Sequence, residues 1–150
     1  MAYWLMKTEP STFSIDDLKA ADVEPWDGVR NYQARNMMRD QMRVGDGAFI
    51  YHSNCPTPGI VGIARIVKEG YPDHTAQNPD SPYYDPKSTT DQPRWFMVDV
   101  RYERHLERTI TLQELKAHPE LHEMALVRKG NRLSVMPVSD VEWEFILSLE

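Results

Sequence analysis

The chain has 150 residues, a formal net charge of −6, 41% hydrophobic and 27% charged residues, and one cysteine. That length fits a single domain spanning residues 1–150, able to bury roughly 70% of the surface its unfolded form would expose, and the composition is that of a soluble globular protein. The acidic balance argues against a protein that grips long nucleic acid through nonspecific phosphate contacts. A lone Cys55 allows no internal disulfide, and apolar runs such as "GIVGIA" are too short to cross a membrane.

The opening residues "MAYWLMKTEP" lack a basic start and a long apolar stretch, so no secretory signal is expected and the expected location is cytoplasmic. Residues 3–7, "YWLMK", read as a first strand. Ser14 with Asp17 carries the capping-box pattern that starts a helix. "WDGVRNYQARN" then brings Trp26, Gly28 and Arg30 to the start of a helix that Asn31 would cap. That helix continues through Ala34, Met37, Met38 and Met42 until "GDG" at 45–47 stops it, and its methionines read as core filler.

"AFIYH" at 48–52 and "IVGIARIV" at 60–67 read as two strands joined in an antiparallel hairpin by "SNCPTPG". The stretch from Glu69 to Pro93 holds Pro72, Pro79, Pro82, Pro86 and Pro93, and a connection of that length is usually functional or mobile. "WFMVDVRYE" at 95–103 reads as a strand, Thr111 with Glu114 as another helix start, and "LSVMPV" at 133–138 as a last strand. Ser139 with Glu142 opens a closing helix whose Val141, Phe145, Ile146 and Leu149 recur at helical spacing. These elements predict an α+β fold, a small, partly closed mixed barrel of five strands.

Motifs of catalysis are mostly absent: no phosphate-binding glycine loop, no HExxH and no GxSxG. "HPELH" spaces His118 and His122 for one metal on a helix face, but Pro119 belongs at the first helical position and makes His118 a cap. Cys55, three residues after His52, reads either as a thiol nucleophile beside its base or as a structural cysteine in a hairpin loop. No cofactor and no metal are expected.

What remains are residues that stack on flat rings or read polar edges. Trp4 and Trp143 sit in regular elements and read as structural. Trp26 and Trp95 stand at element edges near Arg30 and Arg94, and each reads as core or as pocket wall. Asn31 and Asn36 can offer donor and acceptor to a base edge, although Asn31 is also a natural cap. His52 and Ser53 leave a strand into a loop, where binding residues commonly sit. Between Trp26 and Lys68, Arg30, Arg35, Arg39, Arg43, Arg65 and Lys68 outnumber Asp27, Asp40 and Asp46, which marks either a face for an anionic ligand or a solvated helix side.

In this order "YWLMKTEPSTFSIDDL", "WDGVRNYQARN", "GDGAFIYHSN", "GIVGIARIV", "YYDPKS", "PRWFMVDV" and "RLSVMPVSDVEW" resemble the EVE domain family over nearly the whole chain. The resemblance implies a PUA-like mixed, partly closed barrel of five to six strands with flanking short helices, related to the YTH domains. It implies a pocket for modified nucleobases, such as methylated cytosine or adenine in DNA or RNA, and no reaction chemistry. The pocket-forming blocks fall on Trp26, Gly28, Val29, Arg30, Asn31 and Asn36, on His52 and Ser53, on Trp95 and on Ser134, with Tyr83 and Tyr84 in a lid position.

The combined expectation is a non-enzymatic reader of a modified base. Trp26 would be its stacking wall, Asn31, Asn36 and Ser53 would read the edge, and Arg30 would meet phosphate or close the pocket. The partner would be a modified nucleobase in DNA or RNA, or a nucleotide-like small molecule, and no membrane. The alternatives are a small nucleotide- or RNA-processing enzyme using Cys55 with His52, and an interaction module of an RNA-modification assembly.

Overall fold

Six strands form one mixed sheet in the computed structural model, which describes residues 1–150. In chain order they are β1 (Tyr3–Thr8), β2 (Val23–Pro25), β3 (Gly47–His52), β4 (Gly59–Pro72), β5 (Phe96–Thr111) and β6 (Val135–Val138). The spatial order is β2-β5-β4-β3-β1-β6, with β1 parallel to β3 and every other pair antiparallel. The ladder is not closed, and β2 and β6 are its free edges. Four helices flank it: α1 (Ile15–Ala21), α2 (Tyr32–Asp40), α3 (Leu112–Lys116) and α4 (Asp140–Leu147). None is long and apolar enough to cross a membrane.

Each helix starts where the local chemistry predicts. Ser14 and Ser139 form complete capping boxes with Asp17 and Glu142, and the Thr111 and Asn31 side chains accept from the amides of Glu114 and Ala34. These bonds satisfy amides that the first turn of a helix leaves unpaired. His118 precedes Pro119 at the head of a 3₁₀ turn, as the helix-start reading requires.

Strand alternation divides the apolar residues into two clusters. Trp4, Met6, Ala48, Ile50, Ala64, Ile66, Val98 and Val100 face α1 and α2, burying Leu18, Ala34, Met37, Met38 and Met42 with them. Leu5, Phe49, Tyr51, Ile110, Met136 and Val138 face the other way, against Leu115, Trp143 and Ile146. Trp143 stacks between Tyr3 and Phe49 at ring separations of 4.2 and 4.0 Å. The Trp4 indole donates to the buried Asp46 carboxylate at 3.0 Å, which also accepts the amides of Ala2 and Arg43.

Three differences from the sequence reading matter for function. β2 is a sixth strand, only three residues long and ending in Pro25, which an edge position tolerates because one side needs no ladder donor. β4 and β5 run further than predicted, to Pro72 and Thr111, because register shifts break the simple alternation that marks a strand in sequence. The route from β1 to its parallel partner β3 passes through α1, β2 and α2, carrying Trp26–Asn31 to the opposite edge of the sheet and back.

Candidate functional site

A cleft of about 610 Å³ opens where that route passes between β2 and α2. One wall is the end of β2 and the residues after it: Glu24, Pro25, Trp26, Asp27, Gly28 and Val29. The facing wall is the end of β1 (Lys7, Thr8 and Glu9) with Ser53 and the stretch Arg132–Ser134. These facing residues are tied by backbone bonds, Ser53 N–H to the Thr8 carbonyl at 3.0 Å and Lys7 N–H to the Ser134 carbonyl at 2.8 Å. Walls drawn from both free edges of an open sheet require the sheet to curl, so the cleft occupies the gap in an incomplete barrel.

Trp26 is 7% exposed, belongs to the inner core and still borders the cleft. Its backbone N–H donates to the Val98 carbonyl, and Phe13, also in the cleft wall, meets its ring edge-on at 6.2 Å. Both readings of this tryptophan therefore hold at once: the core fixes the indole, and one part of it bounds the hollow. Gly28 adopts φ 79°, and a Cβ built there would sit 2.7 Å from the Tyr83 ring, so only glycine lets that ring close over the turn.

The carboxyls of Glu24 and Asp27 shape the electrostatics of this wall. Burial raises both above their ordinary values, reinforced for Glu24 by Asp27 and Asp99, and for Asp27 by the charge of Asp73. Lys7 on the facing wall is shifted the other way, its ammonium lowered by burial. The result is a slot with an aromatic side, serine hydroxyls and carboxyls, suited to a flat ring with polar edges.

Trp26, Gly28, Val29, Ser53 and Ser134 line this cleft. Arg30, Asn31, Asn36, His52 and Trp95 do not, and each has another partner. The Asn31 Oδ1 is taken by its own helix through the Ala34 amide at 3.0 Å, and the first turn of α2 does not line the cleft. The Asn36 Oδ1 accepts both Nε and Nη2 of Arg35. The His52 Nε2 accepts the Ile15 amide at 3.1 Å, and burial lowers the imidazole pKa. Trp95 stacks on Tyr32 at 4.7 Å and donates to Asp85 at 2.7 Å.

Arg30 departs furthest from the expected phosphate contact. Its Nη1 pairs with Asp73 at 3.0 Å, its Nη2 donates to the Tyr83 carbonyl at 2.7 Å, and its guanidinium lies over the Tyr83 and Trp95 rings at 5.6 and 5.3 Å. Asp73 in turn accepts the Gly28 amide at 2.8 Å and both the amide and hydroxyl of Thr75. This cluster clamps the long connection, 73–95, behind the Trp26–Gly28 turn. It sets Tyr83 in the cleft wall. Three other cations of that basic segment also have partners within the chain: Arg39 on Asp40, Arg65 on Glu103, and Arg35 on Asn36 and the Arg94 carbonyl.

Neither chemical alternative gains a constellation. The Cys55 thiol contacts the His52 carbonyl oxygen at 3.8 Å rather than its imidazole. His118 lies edge-on against Phe145, whereas His122 borders a different hollow.

Lys7, Thr8, Glu9, Phe13, Glu24 and Arg132 are cleft residues that the pattern reading did not single out. Their only local signal is position at strand ends and in the loops beside them.

A curled, mixed six-stranded sheet with short helices on both faces and a cleft at its gap defines a PUA-like α+β domain. The chain belongs to the EVE domain family, whose model matches residues 2–149. It is 50% identical over 167 residues to Thymocyte nuclear protein 1 of Mus musculus, covering 99% of this chain and 73% of that one. Among solved structures it is similar to a protein of Pseudomonas syringae (TM-score 0.96, 51% identity, 99% of each chain). It is also similar to the human THYN1 protein in complex with 5-methylcytosine-containing DNA (TM-score 0.93, 46% identity, 99% of this chain and 97% of that one).

Proposed function

We propose that this chain is a non-enzymatic module that binds a modified nucleobase of the 5-methylcytosine type, carried in DNA, in the Trp26 cleft. The observation that carries the reading is the placing of a core-anchored indole and the carboxyls of Glu24 and Asp27 on one wall, opposite the Ser53 and Ser134 side of the cleft. An aromatic face stabilises a stacked base by about 1–3 kcal/mol whatever its identity. A carboxylate accepts from the exocyclic amino group that cytosine and adenine bear. The similarity to human THYN1 with its 5-methylcytosine-containing DNA supports the same ligand class here. A base must leave a duplex to enter such a slot, which suits an acidic protein that does not track the phosphate backbone over long distances.

The added methyl group buries apolar area worth about 0.8 kcal/mol, roughly a fourfold preference. Isothermal titration with short strands carrying cytosine, 5-methylcytosine or N6-methyladenine at one fixed salt concentration tests this. The expected order places 5-methylcytosine first, and Trp26→Phe, which keeps an aromatic core residue but shortens the stacking face, weakens all binding several-fold. Equal affinity for methylated and plain strands, or a Trp26→Phe variant that binds like wild type, overturns the reading. Chemical turnover of a bound nucleotide would favour the enzyme alternative.

A further inference from the structure

A second hollow, of about 630 Å³, lies beside the cleft and differs from it in charge. Its lining includes Lys7, Lys116, Arg128 and Lys129 and no carboxylate, in a chain whose net charge is −6. Two features join it to the first. Lys7 borders both hollows, with its ammonium 5.7 Å from the Tyr51 ring centre. The segment 128–134 walls both, and Gly130, at φ 78°, turns the chain so that Arg128 and Lys129 line one hollow and Arg132 the other.

The only acidic partner of these cations is Glu123, 3.3 Å from Arg128, and both side chains are exposed. Such a pair is worth about 0–1 kcal/mol and leaves the guanidinium available to a stronger anion. Like charges gathered without compensation raise the local positive potential and favour an oxyanion. Resting on the base-binding reading above, we propose that this hollow is a phosphate-binding site. It takes backbone oxyanions of the strand whose modified base occupies the Trp26 cleft, with Lys7 as the shared ridge between base and phosphate. The same chemistry would accept a free phosphate or pyrophosphate, and the two sources are separable.

The test compares wild type, the double variant Lys116→Glu/Lys129→Glu, and Lys19→Glu, an exposed helix lysine that lines neither hollow. Each is first checked for folding by circular dichroism. Binding of a labelled short strand with one 5-methylcytosine is measured across a salt series, together with the uncharged nucleoside 5-methyldeoxycytidine and inorganic pyrophosphate. The double variant is expected to bind the strand about tenfold or more weakly at low salt, with a log–log salt slope shallower by about 1–2, because each phosphate contact on a single strand contributes about 0.7 to that slope. Its preference for the methylated strand and its nucleoside affinity stay as in wild type, Lys19→Glu stays near wild type throughout, and pyrophosphate displaces the strand from wild type. Strand affinity and slope unchanged in the double variant overturn the strand assignment, even if pyrophosphate binding is lost. A wild type that shows the slope difference but no methyl preference instead refutes the base reading and leaves the phosphate site standing.

Discussion

Replacing Asp73 with asparagine tests whether the carboxylate cluster behind Gly28 holds the site together. The Asp73 side chain is fully buried and accepts four hydrogen bonds, from the Gly28 amide, Arg30, and the amide and hydroxyl of Thr75. An asparagine keeps one acceptor oxygen for Thr75 but turns an NH₂ toward the Gly28 amide and the Arg30 guanidinium, donor against donor. Hydrogen bonds to a charged group are worth about 1.5–3 kcal/mol and a stranded buried donor costs about 1–3 kcal/mol, so a loss of about 2–4 kcal/mol is expected. For a chain of this size that lowers Tm by about 5–15 °C.

The pH dependence of that loss provides a stricter check. Burial pushes the Asp73 carboxyl up, but the bonds from Thr75, Gly28 and Arg30 outweigh it, and the pKa is lowered below the ordinary 3.8. A lowered carboxylate contributes stability that is complete above the unfolded value and disappears as pH falls through the folded one. The gap between wild type and Asp73→Asn, measured by urea unfolding, is therefore constant from neutrality to about pH 4 and narrows below it. A gap under about 1 kcal/mol at pH 7, or one that persists unchanged into strong acid, refutes the role assigned to the ion pair.

Gly28→Ala should destabilise by about 1–3 kcal/mol, since a Cβ both strains the positive φ and meets the Tyr83 ring at 2.7 Å. Adding Tyr83→Ala should recover the clash but not the strain, and a double-mutant cycle with no coupling between the two sites would show that the ring does not rest on the turn. His52 has its pKa lowered, first by burial and then by His105, against the opposing pull of Asp16, and its Nε2 accepts the Ile15 amide. Its stabilising contribution is full above pH 6.5 and lost as pH falls toward the folded value. His52→Gln keeps an acceptor without a titrating proton, so its stability should fall less than that of wild type over that window. Parallel curves for the two proteins would sink that assignment.

Signals confined to a few neighbouring residues were legible in the sequence. Ser14, Asn31, Thr111 and Ser139 announce their helices because a cap is satisfied within three residues. The strand cores declare themselves through β-branched and aromatic runs, and "WDGVRN" marks one wall of the cleft. The rest depends on distant partners. β2 is a strand only because β5 lies beside it, with Val23 opposite Arg101. Arg30 looks like a ligand-binding cation until the fold brings Asp73, 43 residues away, against it. Lys7 and Glu24 carry no common local signature, and only the curl of the sheet sets them around one cleft.

The same curl explains why the Trp26 cleft sits at the gap rather than on a face of the sheet. Both faces are covered by helices and buried apolar clusters, and the hollow that opens beside Tyr51 is lined by Lys7, Lys116, Arg128 and Lys129. At the gap, β2 and β6 end the ladder, and an open edge is normally a liability that a protein must cover. Here α2 packs against β4, β5 and β6, and Trp26 plugs part of what remains. The indole is held rigidly by the core it seals, and the uncovered remainder of the gap is the cleft. A stacking surface fixed before the ligand arrives costs no ordering on binding. On the proposed reading, removing Trp26 is expected to damage folding and affinity together. Only a substitution that preserves the plug, such as Trp26→Phe, separates the two roles.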